Sequence, residues 1–313
     1  MHDYSSAYRG EFSTRRGKRR YDDDEPTSAK RVRGHRTLPS LEKFDATDGL
    51  PEGDRWSTWD QSIPTQRGPK PYPDWLVTEL AAVDTELGIL KTGKEAGVFL
   101  VRRGVPGTDR SCLLAAKRYR SADHRMFQRD SEYLEGRRTR ATRENRAVAN
   151  RSAFGRQLIA GQWAIAEFDA LVRLSSAGVP VPYPVQILGT EVLLEFIGSA
   201  DGTAAPRLAE TRPNRAQLAG LWDQMVGSLV DLARDGLAHG DLSAYNVLVH
   251  DGRLVIIDLP QVIDVIANPR GAWFLTRDAE NIGRWFTQHG LAGVRPEPAD
   301  LAALLRREAM LGP

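Results

Sequence analysis

The sequence predicts an α+β chain with a small N-terminal β-rich lobe, a larger, mainly helical C-terminal lobe and a cleft between them. Three observations carry this. Short apolar runs of strand length, Leu87–Leu90, Val98–Val101 and Leu113–Lys117, crowd one region. Further on, Leu218, Leu221, Trp222, Met225, Val226, Leu229, Val230 and Ala233 recur at spacings of three and four, the mark of an amphipathic helix. A tight-hairpin signal, His250-Asp251-Gly252-Arg253, then joins two short strands, Val247–Val249 and Leu254–Ile257.

From the N-terminus, residues 1–70 are rich in Arg, Asp, Ser, Gly and Pro and lack apolar periodicity. Arg15, Arg16, Lys18, Arg19 and Arg20 form a basic cluster that Asp22, Asp23, Asp24 and Glu25 follow at once. Such a stretch buries too little apolar surface to offset its ordering entropy. Residues 1–70 are therefore expected to be a disordered basic/acidic tail, and 71–313 the folded domain. Order is expected to begin near Pro73, with Asp74 capping a short helix through Trp75, Leu76, Leu80 and Ala81. The N-lobe is expected over about 75–195, interrupted by a flexible insertion over about 118–156 that holds eleven arginines and five acidic residues. Within that lobe a helix runs over Trp163–Leu174 and stops at Ala177-Gly178-Val179-Pro180; strands Val185–Leu188 and Glu191–Phe196 flank Gly189. The C-lobe is expected over about 199–313, with its last helices over Thr276–Thr287 and Ala299–Met310.

Composition narrows the function classes. The 313 residues are 41% hydrophobic and 27% charged, ordinary for a globular protein, and the net charge of +2 makes no overall case for nucleic-acid binding. Contact with RNA or a ribosome is left to the basic segments alone. The single cysteine, Cys112, excludes a disulfide framework and reads as a small buried hydrophobe in a reducing compartment. No apolar run approaches the roughly 20 residues of a membrane span. A soluble, cytoplasmic chain without membrane association is expected.

The chemistry concentrates in His239-Gly240-Asp241-Leu242-Ser243-Ala244-Tyr245-Asn246 and in Asp258, twelve residues past Asn246 and at the end of an apolar strand. Phosphoryl transfer from ATP asks the protein for an aligned nucleophile and for cations spread over phosphate oxygens. Asp241 suits the orientation or deprotonation of an attacking hydroxyl. Asn246 and Asp258 offer the hard oxygens that Mg²⁺ prefers, and a hairpin between them brings both to one end of a cleft. Asp241 and Asn246 are also good turn residues. Their combination with the strand, the Asp-Gly turn and Asp258 favours the chemical reading over turn capping.

The His-Gly-Asp-Leu-(x)4-Asn pattern resembles the catalytic loop of protein kinases and of small-molecule kinases of that superfamily. Thr92-Gly93-Lys94-Glu95-Ala96 resembles the nucleotide-binding loop of RIO-type atypical serine/threonine protein kinases. Leu242-Ser243-Ala244-Tyr245-Asn246 resembles that family's Leu-Ser-Glu-Tyr-Asn, with Ala244 in place of Glu; Ile257-Asp258-Leu259-Pro260-Gln261 looks like its metal-binding loop, and Arg277-Asp278-Ala279-Glu280-Asn281-Ile282 like the helix that follows. The similarity covers about residues 75–290 and is nearest the first RIO subfamily. It implies a two-lobed protein-kinase-like fold and an ATP- and Mg²⁺-dependent serine/threonine kinase or ATPase that acts on a protein substrate or on itself. By the same resemblance Asp241 is the catalytic base, Asn246 and Asp258 bind metal, and Asp258 is a candidate acceptor for an aspartyl-phosphate intermediate. Lys117 pairs with Glu167 and the ATP phosphates. Thr92, Gly93, Lys94 and Glu95 cradle ATP, and Glu195, Phe196 and Ile197 form the adenine hinge. His239 is expected to pack the loop, and Asp278 and Asn281 to be surface or loop-bracing residues. Ser131, Thr139, Thr142 and Ser152 are candidate autophosphorylation sites.

Gly240 stands where many protein kinases carry Arg, no Ala-Pro-Glu element follows Asp258, and Leu-Pro replaces Phe-Gly after it. The RIO group shares these absences. Two other readings remain: a small-molecule kinase of the aminoglycoside or choline type, and a non-catalytic RNA- or ribosome-binding scaffold. The short stretch of chain after Asp258 argues against the first, and the filled catalytic positions against the second.

Overall fold

The computed structural model describes residues 53–120 and 153–311, with side chains from residue 159 onward in the second stretch. The insertion between them, with its four candidate phosphorylation sites, and the basic cluster near the N-terminus lie outside the described residues.

The N-lobe is a six-stranded antiparallel sheet, ordered β1-β2-β3-β4-β6-β5. Its strands are β1 (Arg55–Trp56), β2 (Val83–Thr92), β3 (Ala96–Gly104), β4 (Ser111–Tyr119), β5 (Pro184–Leu188) and β6 (Glu191–Glu195). Helix α1 (Ala153–Ser176) lies between β4 and β5 in sequence. Side chains along a strand alternate between faces, and this sorts the sheet. Leu114 and Ala116 of β4 join Val101, Val185 and Leu193 in one apolar cluster with Trp59 and Leu76. The opposite face of β4 carries Lys117 and Tyr119, and Tyr119 packs with Ala164, Phe168 and Leu171 of α1.

The cluster around Trp59 explains a correction. Order was expected to start near Pro73, yet residues 53–70 are part of the fold. Trp59 is buried, Arg55 and Trp56 pair with Asp84 and Val83, and Arg67 bridges to Gln186. Without this segment one face of the sheet would be open to water. Polar groups fix it as well. Arg103 is fully buried and reaches both carboxylate oxygens of Asp84 (2.7 and 3.0 Å) and Oε1 of Gln186 (3.0 Å); Gln186 Nε2 donates to Thr58 Oγ1 (2.8 Å). A buried guanidinium is tolerated only when paired in this way.

The short helix expected after Asp74 is absent. Leu76 N–H closes a single turn onto Pro73 O, and Arg110 donates to the carbonyls of Asp74 and Leu76 while pairing with Glu79. Those carbonyls are thus taken by a side chain, not by further helical turns.

The C-lobe follows the helical reading. Helix α2 (Arg215–Arg234) begins in a capping box, with Asn214 Oδ1 accepting from Gln217 N and Gln217 Oε1 from Asn214 N. Strand β7 (Leu237–Ala238) pairs with β10 (Ile263–Asp264), and β8 (Val247–His250) pairs with β9 (Arg253–Ile256). The β8–β9 turn uses positive φ at Asp251 (49°) and Gly252 (74°), as its Asp-Gly sequence predicts. Helices α3 (Gly271–Gln288) and α4 (Leu301–Glu308) complete the lobe around Trp222, Met225, Ile282 and Phe286. No helix among the described residues is long and apolar enough to cross a membrane. Cys112 packs beside the Trp59 cluster, and burial pushes its thiol upward, as suits a packing residue.

Candidate active site

Three elements meet at Lys117. Its Nζ donates to Glu167 Oε1 on α1 (2.5 Å) and to Asp258 Oδ1 just past β9 (2.8 Å), partners 50 and 141 residues away. The second oxygen of Glu167 accepts from Tyr119 OH (2.5 Å), two residues along the same face of β4. Glu167 is 2% exposed, so this is a buried carboxylate with both oxygens satisfied. Burial works against the Lys117 ammonium, but the Glu167 and Asp258 charges outweigh it and hold its pKa above the ordinary lysine value. Burial and Glu167 together push the Tyr119 phenol well up. Burial likewise opposes ionisation of Asp258, and Lys117 overcomes it and holds that carboxyl low. Sequence reasoning named the lysine, the glutamate and the aspartate. Tyr119 went unremarked, although its i+2 position from Lys117 on a strand is the signal that finds it.

The loop bearing Asp241 is held from three sides. His239, fully buried, engages Ile257 O through Nε2 (3.1 Å) and accepts Asp241 N–H at Nδ1 (3.3 Å), which requires the proton on Nε2. Asn246 Nδ2 donates to Asp241 O (3.0 Å), and Asn246 O accepts from Ile257 N (2.9 Å). The loop is thereby tied directly to the residue preceding Asp258. Among the described residues no donor engages the Asp241 carboxylate. Asp278, 1% exposed on α3, accepts from Gly240 N (2.8 Å) and Leu242 N (3.1 Å), and Asn281 Nδ2 approaches Leu242 O (3.5 Å). Asp278 is therefore a loop brace and not a surface residue. Burial raises its carboxyl pKa, with the two amide donors opposing. Asp278→Ala would orphan two buried N–H groups at about 1–3 kcal/mol each. The expected outcome is a loss of at least ~2 kcal/mol in denaturant unfolding together with weakened activity; unchanged stability would contradict the bracing role.

Gly240 is required by geometry. Its φ is +83°, and a Cβ there would sit 2.4 Å from Gln261 O and 3.0 Å from Ile263 Cγ1. An arginine cannot occupy this position in this fold. Asp258 also adopts positive φ (68°), a left-handed conformation that costs a non-glycine residue about 1 kcal/mol and is found at functional sites. Ala244 is buried in the C-lobe core, where a small apolar side chain fits.

The remaining expected positions are less closely joined. Thr92, Gly93, Lys94 and Glu95 form the β2–β3 turn, closed by Gly93 N donating to Ala96 O and by Arg120 N donating to Glu95 O (both 2.9 Å); Lys94 is exposed. Glu195 ends β6; its Oε2 accepts from Tyr183 N (3.0 Å) and its N–H donates to Tyr183 O (2.9 Å). Ile197 accepts from Ala205 N (2.9 Å), and Gly198 admits the close approach of Thr203 O, which a Cβ would meet at 2.3 Å. Two cations near the loop and hairpin were missed, Lys91 close to Asp258 and Arg207 close to Asn246. Lys91 on β2 lies in the electrostatic reach of Asp258, Lys117 and Arg207, and Arg207 donates to Tyr245 O (2.7 Å) next to Asn246.

The donor set fits a hard divalent cation. Asn246 commits its Nδ2 to Asp241 O, which leaves Oδ1 as a ligand oxygen, and the half-exposed Asp258 keeps one oxygen beyond its bond to Lys117. No group of three or more His, Cys, Asp or Glu side chains capable of holding a metal occurs among the described residues. One amide and one carboxylate suit Mg²⁺, which keeps waters and phosphate oxygens as its other ligands.

Comparison with known proteins agrees with this geometry. The family model described as the RIO domain matches residues 107–299. The chain belongs to the RIO-domain family. This RIO-family chain is 34% identical over 208 residues to the RIO-type serine/threonine-protein kinase Rio1 of Haloferax volcanii, a match covering 66% of this chain and 65% of that protein. It is 32% identical over 205 residues to the serine/threonine-protein kinase RIO1 of Caenorhabditis elegans, covering 65% of this chain and 37% of the relative. The chain thus spans less than two thirds of these relatives. The crystal structure of the Rio2 kinase from Chaetomium thermophilum overlays with a TM-score of 0.48 at 22% identity, covering 70% of this chain and 63% of that one.

Proposed function

We propose that this RIO-family chain is an ATP- and Mg²⁺-dependent protein serine/threonine phosphotransferase. The observation that carries the reading is the position of Lys117 Nζ, on β4, between Glu167 and Asp258, beside a loop and hairpin whose Asp241, Asn246 and Ile257 are linked by hydrogen bonds. Lys117, oriented by Glu167 and Tyr119, presents a fixed cation to the α- and β-phosphates. Asn246 and Asp258 hold the metal, which when bound neutralises charge on the phosphate oxygens. The backbone of Glu195 and Ile197 borders the adenine, and the Thr92–Glu95 turn lies over the phosphates. Asp241, its carboxylate engaged by no donor among the described residues and its loop braced through His239 and Asp278, accepts the proton of the attacking hydroxyl. That hydroxyl belongs to a serine or threonine of a protein substrate or of this chain itself. The names of the matched relatives support the serine/threonine reading over a small-molecule substrate.

The test is incubation of the full chain with γ-labelled ATP and Mg²⁺, with and without a generic protein acceptor. Label on a serine or threonine is expected, lost in Asp258→Asn. Absence of transfer together with absence of ATP hydrolysis would overturn the reading.

A further inference from the structure

In an antiparallel sheet, directly paired residues project to the same face. Lys91 of β2 pairs with Val98 of β3, and Val98 pairs with Lys117 of β4. The two lysines therefore stand in one row on the face that carries Glu167's partner, two strands or about 10 Å apart. Lys117 is spent on two carboxylates. Among the described residues Lys91 has no carboxylate partner and is exposed. The third cation, Arg207, donates to Tyr245 O (2.7 Å), and its backbone pairs with Leu248 of β8, which fixes it beside the metal-binding residue Asn246. No carboxylate pairs with its guanidinium among the described residues either.

Of these three cations Lys117 is engaged by Glu167 and Asp258, whereas among the described residues Lys91 and Arg207 have no carboxylate bonded to them and are free to meet an anionic ligand. Desolvation first, then repulsion from Arg207 and Lys117, holds the Lys91 ammonium below its ordinary value, Asp258 opposing, which puts Lys91 and Arg207 within electrostatic reach of each other.

We propose that Lys91 and Arg207 form a second cationic clamp that grips the terminal phosphates of the nucleotide and makes this site select by phosphate number. The proposal rests on the ATP-binding reading above and deepens it. Lys117 serves the inner phosphates in that reading. Lys91, on the strand leading into the Thr92–Glu95 turn, reaches past Val98 to the outer ones, and Arg207 meets them from the Asn246 side. The clamp discriminates a nucleoside triphosphate from a monophosphate by charge and not by contacts to the base. A charge-assisted contact of this kind is worth about tenfold in affinity.

The experiment is calorimetric titration of the full chain with ATP, ADP and AMP in Mg²⁺, for wild type, Lys91→Met, Lys91→Arg and Arg207→Gln. Lys91→Met is expected to weaken ATP by about tenfold and AMP by less than about twofold, with Lys91→Arg restoring most of the loss. Lys91 is exposed, so the variant's unfolding transition is expected to match wild type. Arg207→Gln is expected to lower the ATP-to-AMP ratio in the same direction. A Lys91→Met chain that keeps the wild-type ATP-to-AMP ratio overturns the clamp while leaving the kinase reading in place. A wild-type chain that does not bind ATP overturns the kinase reading and the clamp with it.

Discussion

Asp241→Asn is expected to slow phosphoryl transfer from MgATP by about 10²–10⁴-fold while leaving MgATP affinity within about twofold of wild type. The substitution is nearly isosteric. It keeps the backbone N–H that His239 accepts and the carbonyl that Asn246 Nδ2 reaches, so the loop retains its shape. Only the proton-accepting oxygen is lost. Because no described donor engages that carboxylate, the change removes no structural contact, and the effect falls on the chemical step. Single-turnover label transfer, paired with calorimetric affinity, separates the two. Transfer within about tenfold of wild type would remove Asp241 from the role of base.

Lys117→Met carries the largest expected effect on stability. Among the described residues it leaves Glu167, 2% exposed, with Tyr119 OH as its remaining partner and no paired charge, and it releases Asp258. Breaking a buried pair by removing one member costs about 3–5 kcal/mol, because the charge left behind stays desolvated. The double variant Lys117→Met/Glu167→Gln is expected to recover much of that loss, since the stranded charge is gone. The pH dependence has a definite sign. Lys117 holds the folded pKa of Asp258 below its ordinary value of 3.8, so the pair's contribution is present above that pH and is lost as pH falls through the lower folded value. Acid destabilisation from this source disappears in Lys117→Met. Denaturant unfolding of the full chain between neutral and acid pH measures both effects, and a single variant within about 1 kcal/mol of wild type would contradict the buried pair.

The site was more legible in the sequence than the fold's margins were. Asp241, Asn246 and Asp258 announce themselves because they lie close in sequence around an Asp-Gly hairpin, and the hairpin formed as its turn residues require. The Lys117–Glu167 pair was legible through the family resemblance, and its burial has a physical reason: an ionisable residue inside an apolar strand or helix stripe needs a partner. What the sequence hid depends on distant contacts. Trp59 and Arg67 sit in a polar, aperiodic stretch whose order comes from partners such as Gln186, more than a hundred residues on. The helix expected after Asp74 failed because Arg110, far from the local window, takes its carbonyls. Lys91 and Arg207 look like solvated basic residues until strand register brings Lys91 towards Asp258 and the bond to Tyr245 brings Arg207 beside Asn246.

The central claim is that Lys117, Asn246 and Asp258 together receive a metal-bound triphosphate. Titration of the full chain with ATP, with and without Mg²⁺, in wild type and Asp258→Asn tests it most directly. Affinity that rises with Mg²⁺ in wild type and loses that dependence in Asp258→Asn is the predicted result. ATP affinity indifferent to Mg²⁺ in wild type, or a Mg²⁺ dependence that survives Asp258→Asn unchanged, would contradict it.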